Sequence, residues 1–541
     1  MAKRTDHSGM RRGAQALAES LERAGAEVVF GYPGGNVLDI FDAVRSAKFR
    51  FVLARHEQGA VHMADGYART LGRPGTVLVT SGPGLTNTIT GLGAANMDGV
   101  PIVLICGQVP LSQIGTDAFQ EADTTGLTRA VSKHNFLVKS ADEIPETIAQ
   151  AYYIATHGKP GVVVIDIPRD CQQALTKARY PERISLRAYH PEHSASSREV
   201  NRLAKLLNVA KRPVIYAGGG VIAAEASRDV TALAHKAQIP VVTSMMGIGS
   251  IDEHDELALR MAGLYGNAAA NAAIKEADVI LALGVRFNDR TTDEKGKFGG
   301  KAKIVQVDCD PSSINKNVTV DLGIVADIKD LLTTVNSRIH PNRHSEWVKH
   351  LTGLDHEAKK STSGAISPRA VVEAVYKAKN GDIILATDVG EHQLYAARYF
   401  RHVYPRHFLS SSGMGAMGFG IPAAIGAAIA RPNHKVVALI GDGGAQMTAE
   451  ELMVAAELKL PVAFIVFNNG ELGLVKRMQE EFVGGRYFAT ELRNPNFVKL
   501  AQAYGIRGMR ISAAKNLESE IAKAIRYNGP VLVDVRIGEG G

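Results

Sequence analysis

GDGGAQMTAEELMVAAELKLPVAFIVFNN, residues 441–469, is the stretch whose reading decides the fold. Before it, KVVALIG is a short β-branched run that stops at Gly441-Asp442-Gly443. A helix-like segment follows, then PVAFIVF, a second continuous apolar run that stops at Asn468-Asn469. Strand, helix, strand, with both strands apolar throughout, is the pattern of a βαβ unit in a parallel sheet covered on both faces. The two turns therefore lie at the carboxyl ends of neighbouring parallel strands, where α/β sheets bind ligands. Asp442 offers a carboxylate and Asn469 an amide oxygen, hard ligands for a small divalent cation that can hold a diphosphate through its remaining coordination sites. A bare Gly-Asp-Gly is often a generic strand-end turn; the strand–helix–strand context and the paired asparagines single this one out.

The same alternation extends outward over the whole chain. VVF at Val28, TVLVT at Thr76, PIVLICG and VVVIDIP at Val162 read as strands of a first domain. RPVIYAGGGV, PVVTSMMG, VILALGVRF and KIVQVDCD read as strands of a second, and IILATDVGE, KVVALIGDGG, PVAFIVFNN and PVLVDVRI as strands of a third. Polar stretches from Thr176 to about Arg198 and from about His340 to Ser367 read as linkers. The fold class is α/β, with three doubly wound parallel-sheet domains over residues 1–175, 190–340 and 366–541. The length of 541 residues suits three domains of roughly 150 residues each.

Composition narrows the function classes. Hydrophobic residues make up 45% and charged residues 22%, as in ordinary soluble enzymes. The formal net charge is +7, but Lys and Arg are scattered among Asp and Glu, and no nucleic-acid motif appears. Cys106, Cys171 and Cys309 lie far apart without metal-ligand spacing, which fits a reducing compartment. The basic N-terminus has no apolar stretch after it, and the longest apolar segment, Phe419 to Ala430, is too short to span a bilayer. The expectation is a cytoplasmic protein that binds neither nucleic acid nor membrane.

Glu57 stands in RHEQGAVHMADGYAR, at the start of a helix-like stretch. On its own, a glutamate there makes a favourable contact with the helix dipole. Together with IGAAIARPNHKVVALIGDGG and the paired asparagines, however, these segments carry the signature of thiamine-diphosphate enzymes. More specifically, VFGYPGGNVLDIFDA, TSGPGLTNTITGLGAA, GQVPLSQIGTDAFQEAD, KHNFLVK, PGVVVIDIPRD, GVRFNDR and GMGAMGFGIPAAIGAA resemble the catalytic large subunits of acetohydroxyacid synthase, also called acetolactate synthase.

That resemblance implies thiamine diphosphate and Mg²⁺ as cofactors and carries roles onto this chain. Glu57 resembles the glutamate that hydrogen-bonds N1′ of the aminopyrimidine and favours its imino tautomer. Met417 resembles the apolar prop that bends the cofactor, with Gly415 beside it. Gly34, Gly35, Phe119 and Gln120 look like residues lining the reaction pocket. Gly441, Asp442, Gly443, Gly444 and His392 resemble the diphosphate site, and Asp442, Asn469 and Glu471 the metal ligands. Arg290 resembles the arginine that meets the carboxylate of the second 2-oxo acid, a task suited to its planar fork. The AGGG turn with Gly218 and Gly219, RFNDR with Arg286 and Asp289, VDCDP with Asp308 and ADIK with Asp327 resemble an FAD site whose flavin serves no redox step. The family builds each active site from the first domain of one subunit and the third of another, so a homodimer or homotetramer is implied. A small regulatory subunit is a further partner that the family admits.

Four positions and one segment depart from the family pattern. The tryptophan of NNxxLGMVxQW is Met478, the lysine of IPKD is Arg169, a glutamine before His392 is Glu391, a histidine of the central domain is Tyr265, and the family's longer C-terminal segment is not expected after PVLVDVRI. The first bears on acceptor choice, and Arg169 and Met478 are carried as substrate-side residues. The expected reaction is decarboxylation of pyruvate and transfer of the hydroxyethyl, acetyl-equivalent unit to a second 2-oxo acid. The alternative is a thiamine-dependent decarboxylase, or a carboligase with an aldehyde or ketone acceptor. Glu57 argues against the glyoxylate branch, and the complete Glu57–Asp442–Asn469 set argues against a non-catalytic paralogue.

Overall fold

Each of the apolar runs forms a strand in the computed structural model, which describes residues 9–292, 298–341, 344–354, 365–379 and 382–538. The strands make three six-stranded sheets, parallel throughout. In the first, the order is Arg50–Leu53, Val28–Gly31, Gly75–Val79, Ile102–Gln108, Val162–Pro168, His134–Leu137. In the second it is Ala258–Met261, Val241–Thr243, Pro213–Ala217, Val279–Leu283, Lys303–Asp308, Leu322–Val325. The third runs Phe408–Ser410, Ile384–Thr387, Val436–Gly441, Val462–Asn468, Val531–Arg536, Arg507–Ile511. Counted along the chain within each sheet, the first and third share the order 2-1-3-4-6-5, whereas the middle sheet has the dinucleotide-binding order 3-2-1-4-5-6. The expected α/β architecture of three doubly wound sheets is what forms.

The inner four strands of every sheet are the ones the sequence announces. The outer two are not announced, because a strand paired on one side keeps polar or half-exposed positions. His134–Leu137 has no fully buried residue, and Arg50–Leu53 buries only Val52. One expectation is corrected. The polar stretch after His340 is not merely a linker, since it contains the helix Ser345–Thr352. That helix buries Trp347, whose Nε1 donates to the Pro213 carbonyl at 3.1 Å, in the hydrophobic cluster of the central sheet with Tyr216 and Phe287. The residues on either side of it, 342–343 and 355–364, lie outside those described.

The chain divides into two compact units. One comprises the chain up to His190 with Gly413–Arg431 and Thr448–Leu458; the other comprises Pro191–Ser412, Pro432–Met447 and Lys459–Gly541. Within the first unit, the helix Glu57–Leu71 lies against Gly420–Ala430 backbone to backbone. A Cβ on Gly66 would stand 2.1 Å from the Ala423 carbonyl oxygen, and one on Gly426 would stand 1.9 Å from that of Met63. Neither carbonyl can yield without unwinding its helix. Gly66→Ala and Gly426→Ala should each cost about 1–3 kcal/mol or more through overpacking, read as a lowered thermal midpoint, with the double variant less than additive because both act on one crossing.

Candidate active site

In the first unit the turns after Val28–Gly31 and Gly75–Val79 meet at the carboxyl ends of adjacent strands. A Cβ on Gly34 would lie 2.5 Å from the Thr80 side chain, so only glycine lets the two turns close. Gly35 has open space where its Cβ would be. Glu57 is the first residue of its helix, whose N-terminus is capped by His56 (Nδ1 accepting from Gln58 N at 3.1 Å) and whose C-terminus ends at left-handed Gly72. The Glu57 side chain is buried, with Oε2 accepting from Asn87 Nδ2 at 2.9 Å and Oε1 toward Gly84. Gln120 packs against Gly82, in the turn leading to Asn87, while Phe119 is almost fully exposed. Met417 is half-buried and follows left-handed Gly415. Arg169 lies 3.9 Å from Asp39.

Sequence reading missed Asn87 and Glu451 here. Glu451 is fully buried, and its carboxylate accepts from Arg55 N (3.1 and 3.0 Å) and His56 N (3.0 Å), at the positive end of the Glu57 helix. A Cβ on Gly59 would fall 1.9 Å from its Oε1, so glycine admits it. Burial pushes the Glu451 carboxyl up to about 8. No local signal marks it: MTAEEL resembles any acidic helix start, and its partners lie some 395 positions away.

In the second unit, Asp442 and Asn469 come together as expected. Asp442 is buried; Oδ1 accepts from Gly443 N at 3.0 Å, and Oδ2 from Asn469 N (3.1 Å), Gly470 N (2.7 Å) and Asn494 Nδ2 (2.7 Å). Asn494, also missed, donates to Asn468 Oδ1 at 3.0 Å as well, and Asn468 donates to Asp534 at 2.8 Å. Three donors on Oδ2 and one on Oδ1 leave Oδ1 the freer ligand atom. Glu471 follows Asn469 Oδ1, which accepts its N–H, and pairs with Lys476. Among the described residues no three His, Cys, Asp or Glu side chains form a metal-holding group, so a cation here relies on the mixed Asp and Asn set.

The glycines of that turn are set by its neighbours. A Cβ on Gly444 would strike the Asp388 carboxylate at 2.7 Å, and one on Gly441 would meet the His392 ring at 3.0 Å. His392 is buried and neutral, lowered to about 4 by burial, and its Nε2 has no partner among the described residues. A buried, unsatisfied ring nitrogen beneath a glycine turn fits a diphosphate cradle. Glu391 beside it is raised by burial, a shift the Arg477 charge opposes. Met478 is partly exposed on the helix Gly473–Val483, none of whose residues is buried.

In the central sheet, the turn at Gly218 and Gly219 meets Gly284 where the strand order reverses. Gly218 N donates to Leu283 O at 2.9 Å, and a Cβ on Gly218 would lie 2.1 Å from Gly284 O. Arg286 follows this turn and Asp289 opens the short helix Asp289–Thr292. Arg290 stacks over Tyr265 at 5.9 Å. Asp308 receives Asp310 N at 2.9 Å, and Asp327 caps the helix Ile328–Asn336. The order of the sheet and this close glycine turn fit a dinucleotide.

Comparison with known proteins agrees with this geometry. The chain matches the family models for the thiamine pyrophosphate enzyme N-terminal TPP binding domain over residues 11–127, central domain over 200–335 and C-terminal TPP binding domain over 388–535. It is 44% identical to the acetolactate synthase large subunit of Haemophilus influenzae, over 97% of this chain and 94% of that protein. It is 41% identical to the acetolactate synthase isozyme 3 large subunit of Escherichia coli, over 98% and 95%. To the mitochondrial acetolactate synthase catalytic subunit of Saccharomyces cerevisiae it is 40% identical, over 97% and 80%. With three parallel sheets, an Asp–Asn turn pair and similarity along nearly the full length, the chain belongs to the acetolactate synthase family of thiamine pyrophosphate enzymes.

Proposed function

We propose that this chain is a thiamine-diphosphate- and Mg²⁺-dependent carboligase. It decarboxylates pyruvate and joins the acetyl-equivalent unit to a second 2-oxo acid, giving 2-acetolactate or a related acetohydroxyacid. The observation that carries this reading is Asp442, fixed by four N–H donors beside Asn469 in a chain that also buries Glu57 at a helix start. When bound, thiamine diphosphate supplies a thiazolium carbon that attacks the 2-oxo acid and an electron sink for the charge left by CO₂.

The remaining work falls to side chains. Asp442, Asn469 and Glu471 hold the cation; Gly441, Gly443, Gly444 and His392 receive the diphosphate. Glu57 holds a proton shared with the aminopyrimidine N1′, and Asn87 fixes its carboxylate. Met417 and Gly415 would support the bound cofactor, while Gly34, Gly35, Phe119 and Gln120 line the pocket. Arg290 takes the carboxylate of the acceptor, with Arg169 and Met478 on the substrate side. The central domain holds FAD through Gly218, Gly219, Arg286, Asp289, Asp308 and Asp327. In a homodimer or homotetramer, the first domain (1–175) of one subunit and the third (366–541) of its partner supply complementary halves of each site, with the central domain over 190–340. The large-subunit names of two relatives support a small regulatory partner. Free cysteines and the absence, among described residues, of any helix long and apolar enough to cross a membrane support a cytoplasmic location.

Mass spectrometry of products from pyruvate and a panel of acceptors tests the reading directly. Acetolactate should form only with thiamine diphosphate and Mg²⁺, and Glu57→Gln should lower the rate by about 10² or more. Full activity of that variant at saturating cofactor would remove Glu57 from the mechanism.

Acceptor choice follows from Met478. A flexible, narrow thioether holds one shape less well than an indole. One methylene is worth about 1–3 kcal/mol of discrimination in an apolar pocket, so pyruvate should compete well with 2-oxobutyrate, and Met478→Trp should shift the product ratio toward the 2-oxobutyrate adduct. A strong wild-type preference for 2-oxobutyrate, unchanged by the substitution, refutes this.

Glu451 gives a pH signature. Folded, it keeps its proton to about pH 8; unfolded, it releases it near the ordinary glutamate value of 4.5. The folded state therefore binds the extra proton between those limits, and stability falls as pH rises through them. Thermal midpoints measured from pH 5 to 8.5 should show a shallower decline in Glu451→Gln, which is neutral throughout.

A further inference from the structure

The loop Gly115–Gln120 presents two of the proposed pocket residues, yet it is exposed and conformationally demanding. Phe119 is 87% exposed. Gly115, Asp117 and Gln120 all take left-handed backbone, with φ of 84°, 56° and 60°, a region that Asp and Gln reach only at a cost. Something must hold this shape, and hydrophobic burial does not.

The holding group is one residue past the loop. The Glu121 carboxylate accepts from three backbone amides: Gly115 N on Oε1, and Thr116 N (3.3 Å) and Ala118 N (3.1 Å) on Oε2. Successive N–H groups curled around an anion form a nest. Here the anion belongs to the chain itself. The amide bonds hold the Glu121 carboxyl below the usual range, as expected when donors favour the charged form. The turn is closed again by Glu121 N donating to Ala118 O at 2.9 Å. At the opposite side Gln120 rests on Gly82, where a Cβ would come within 3.0 Å of Gln120 Cα. Gly82 precedes the short helix Pro83–Thr86, which leads into Asn87, the donor to Glu57. The loop is thus pinned at Glu121 and abuts the turn that orients the Glu57 carboxylate.

We propose that Glu121 is a positioning residue of this enzyme: by gathering the amides of Gly115, Thr116 and Ala118, it fixes the conformation in which Phe119 and Gln120 meet the 2-oxo acid. It rests on the reading of Phe119 and Gln120 as pocket residues. A carboxylate is required because all its lone pairs accept; a carboxamide offers one acceptor oxygen and turns an N–H₂ toward amides that also donate.

The test combines a structural and a kinetic readout on the full-length protein. Glu121→Gln and Glu121→Ala are compared with wild type by hydrogen–deuterium exchange of peptides covering residues 111–122, without added cofactor. Amides of the loop should exchange about tenfold faster or more in both variants, since charge-assisted hydrogen bonds are lost. In steady state, KM for pyruvate should rise about tenfold, the scale of such a bond, with a smaller change in kcat and an unaltered thiamine diphosphate Kd by calorimetry. Unchanged loop exchange overturns the proposal, and so does faster exchange with an unchanged KM. Phe119→Ala and Gln120→Ala are run beside them. If those two raise KM and the Glu121 variants do not, only the role of Glu121 falls; if all four leave KM unchanged, the pocket assignment falls with it.

Discussion

The helix Glu57–Leu71 presents its first glutamate at a fixed place because its whole length is held by backbone contact and buried charge. Gly66 and Gly426 bring it against Gly420–Ala430 at a separation no side chain would allow. Glu451 meets the amides ahead of its first turn. Near its last turn Arg69 pairs with Asp65 and with Asp98, all three almost completely buried, and lies over the Phe419 ring. Asp98 in turn receives Gly413 N at 2.8 Å, which ties in the start of the GMGAMGFG segment. Removing one member of such a buried set leaves a charge uncompensated, so the cluster acts as a unit. The position of Glu57 is therefore a property of packing far along the chain, not of its own turn.

Two kinds of carboxylate emerge from this arrangement. Asp442 and Glu57 each keep part of their accepting capacity open while neighbours fix the rest. Glu451 and Asp98 spend theirs on backbone amides or guanidinium and organise elements instead. The proposed chemistry and the scaffolding thus draw on the same functional group, held in each case by donors from the surrounding chain.

What could be read in advance followed burial on two faces. The inner strands of all three sheets are continuous apolar runs, and the edge strands, such as Arg50–Leu53 and Arg507–Ile511, are polar enough to pass for loop. Asp442 and Asn469 were legible because strand ends bring them together over a short span of sequence. Asn494, Asn87 and Glu451 were not, because their partners are fixed by tertiary folding and a lone Asn or Glu carries no periodicity to betray it. The helix in the stretch after His340 was hidden for a related reason: a single aromatic, Trp347, in a polar segment looks like linker until a sheet is found beneath it.

The helix Gly473–Val483 buries none of its residues. Folding therefore places little demand on which side chains it carries, and changes along it are nearly free of thermodynamic penalty. Substitutions at Met478 or Arg477 can accumulate while the Asp442 turn and the sheets stay constant. A lineage built this way can vary the surface that this helix presents without first having to become more stable, which makes the helix an evolvable face of the chain.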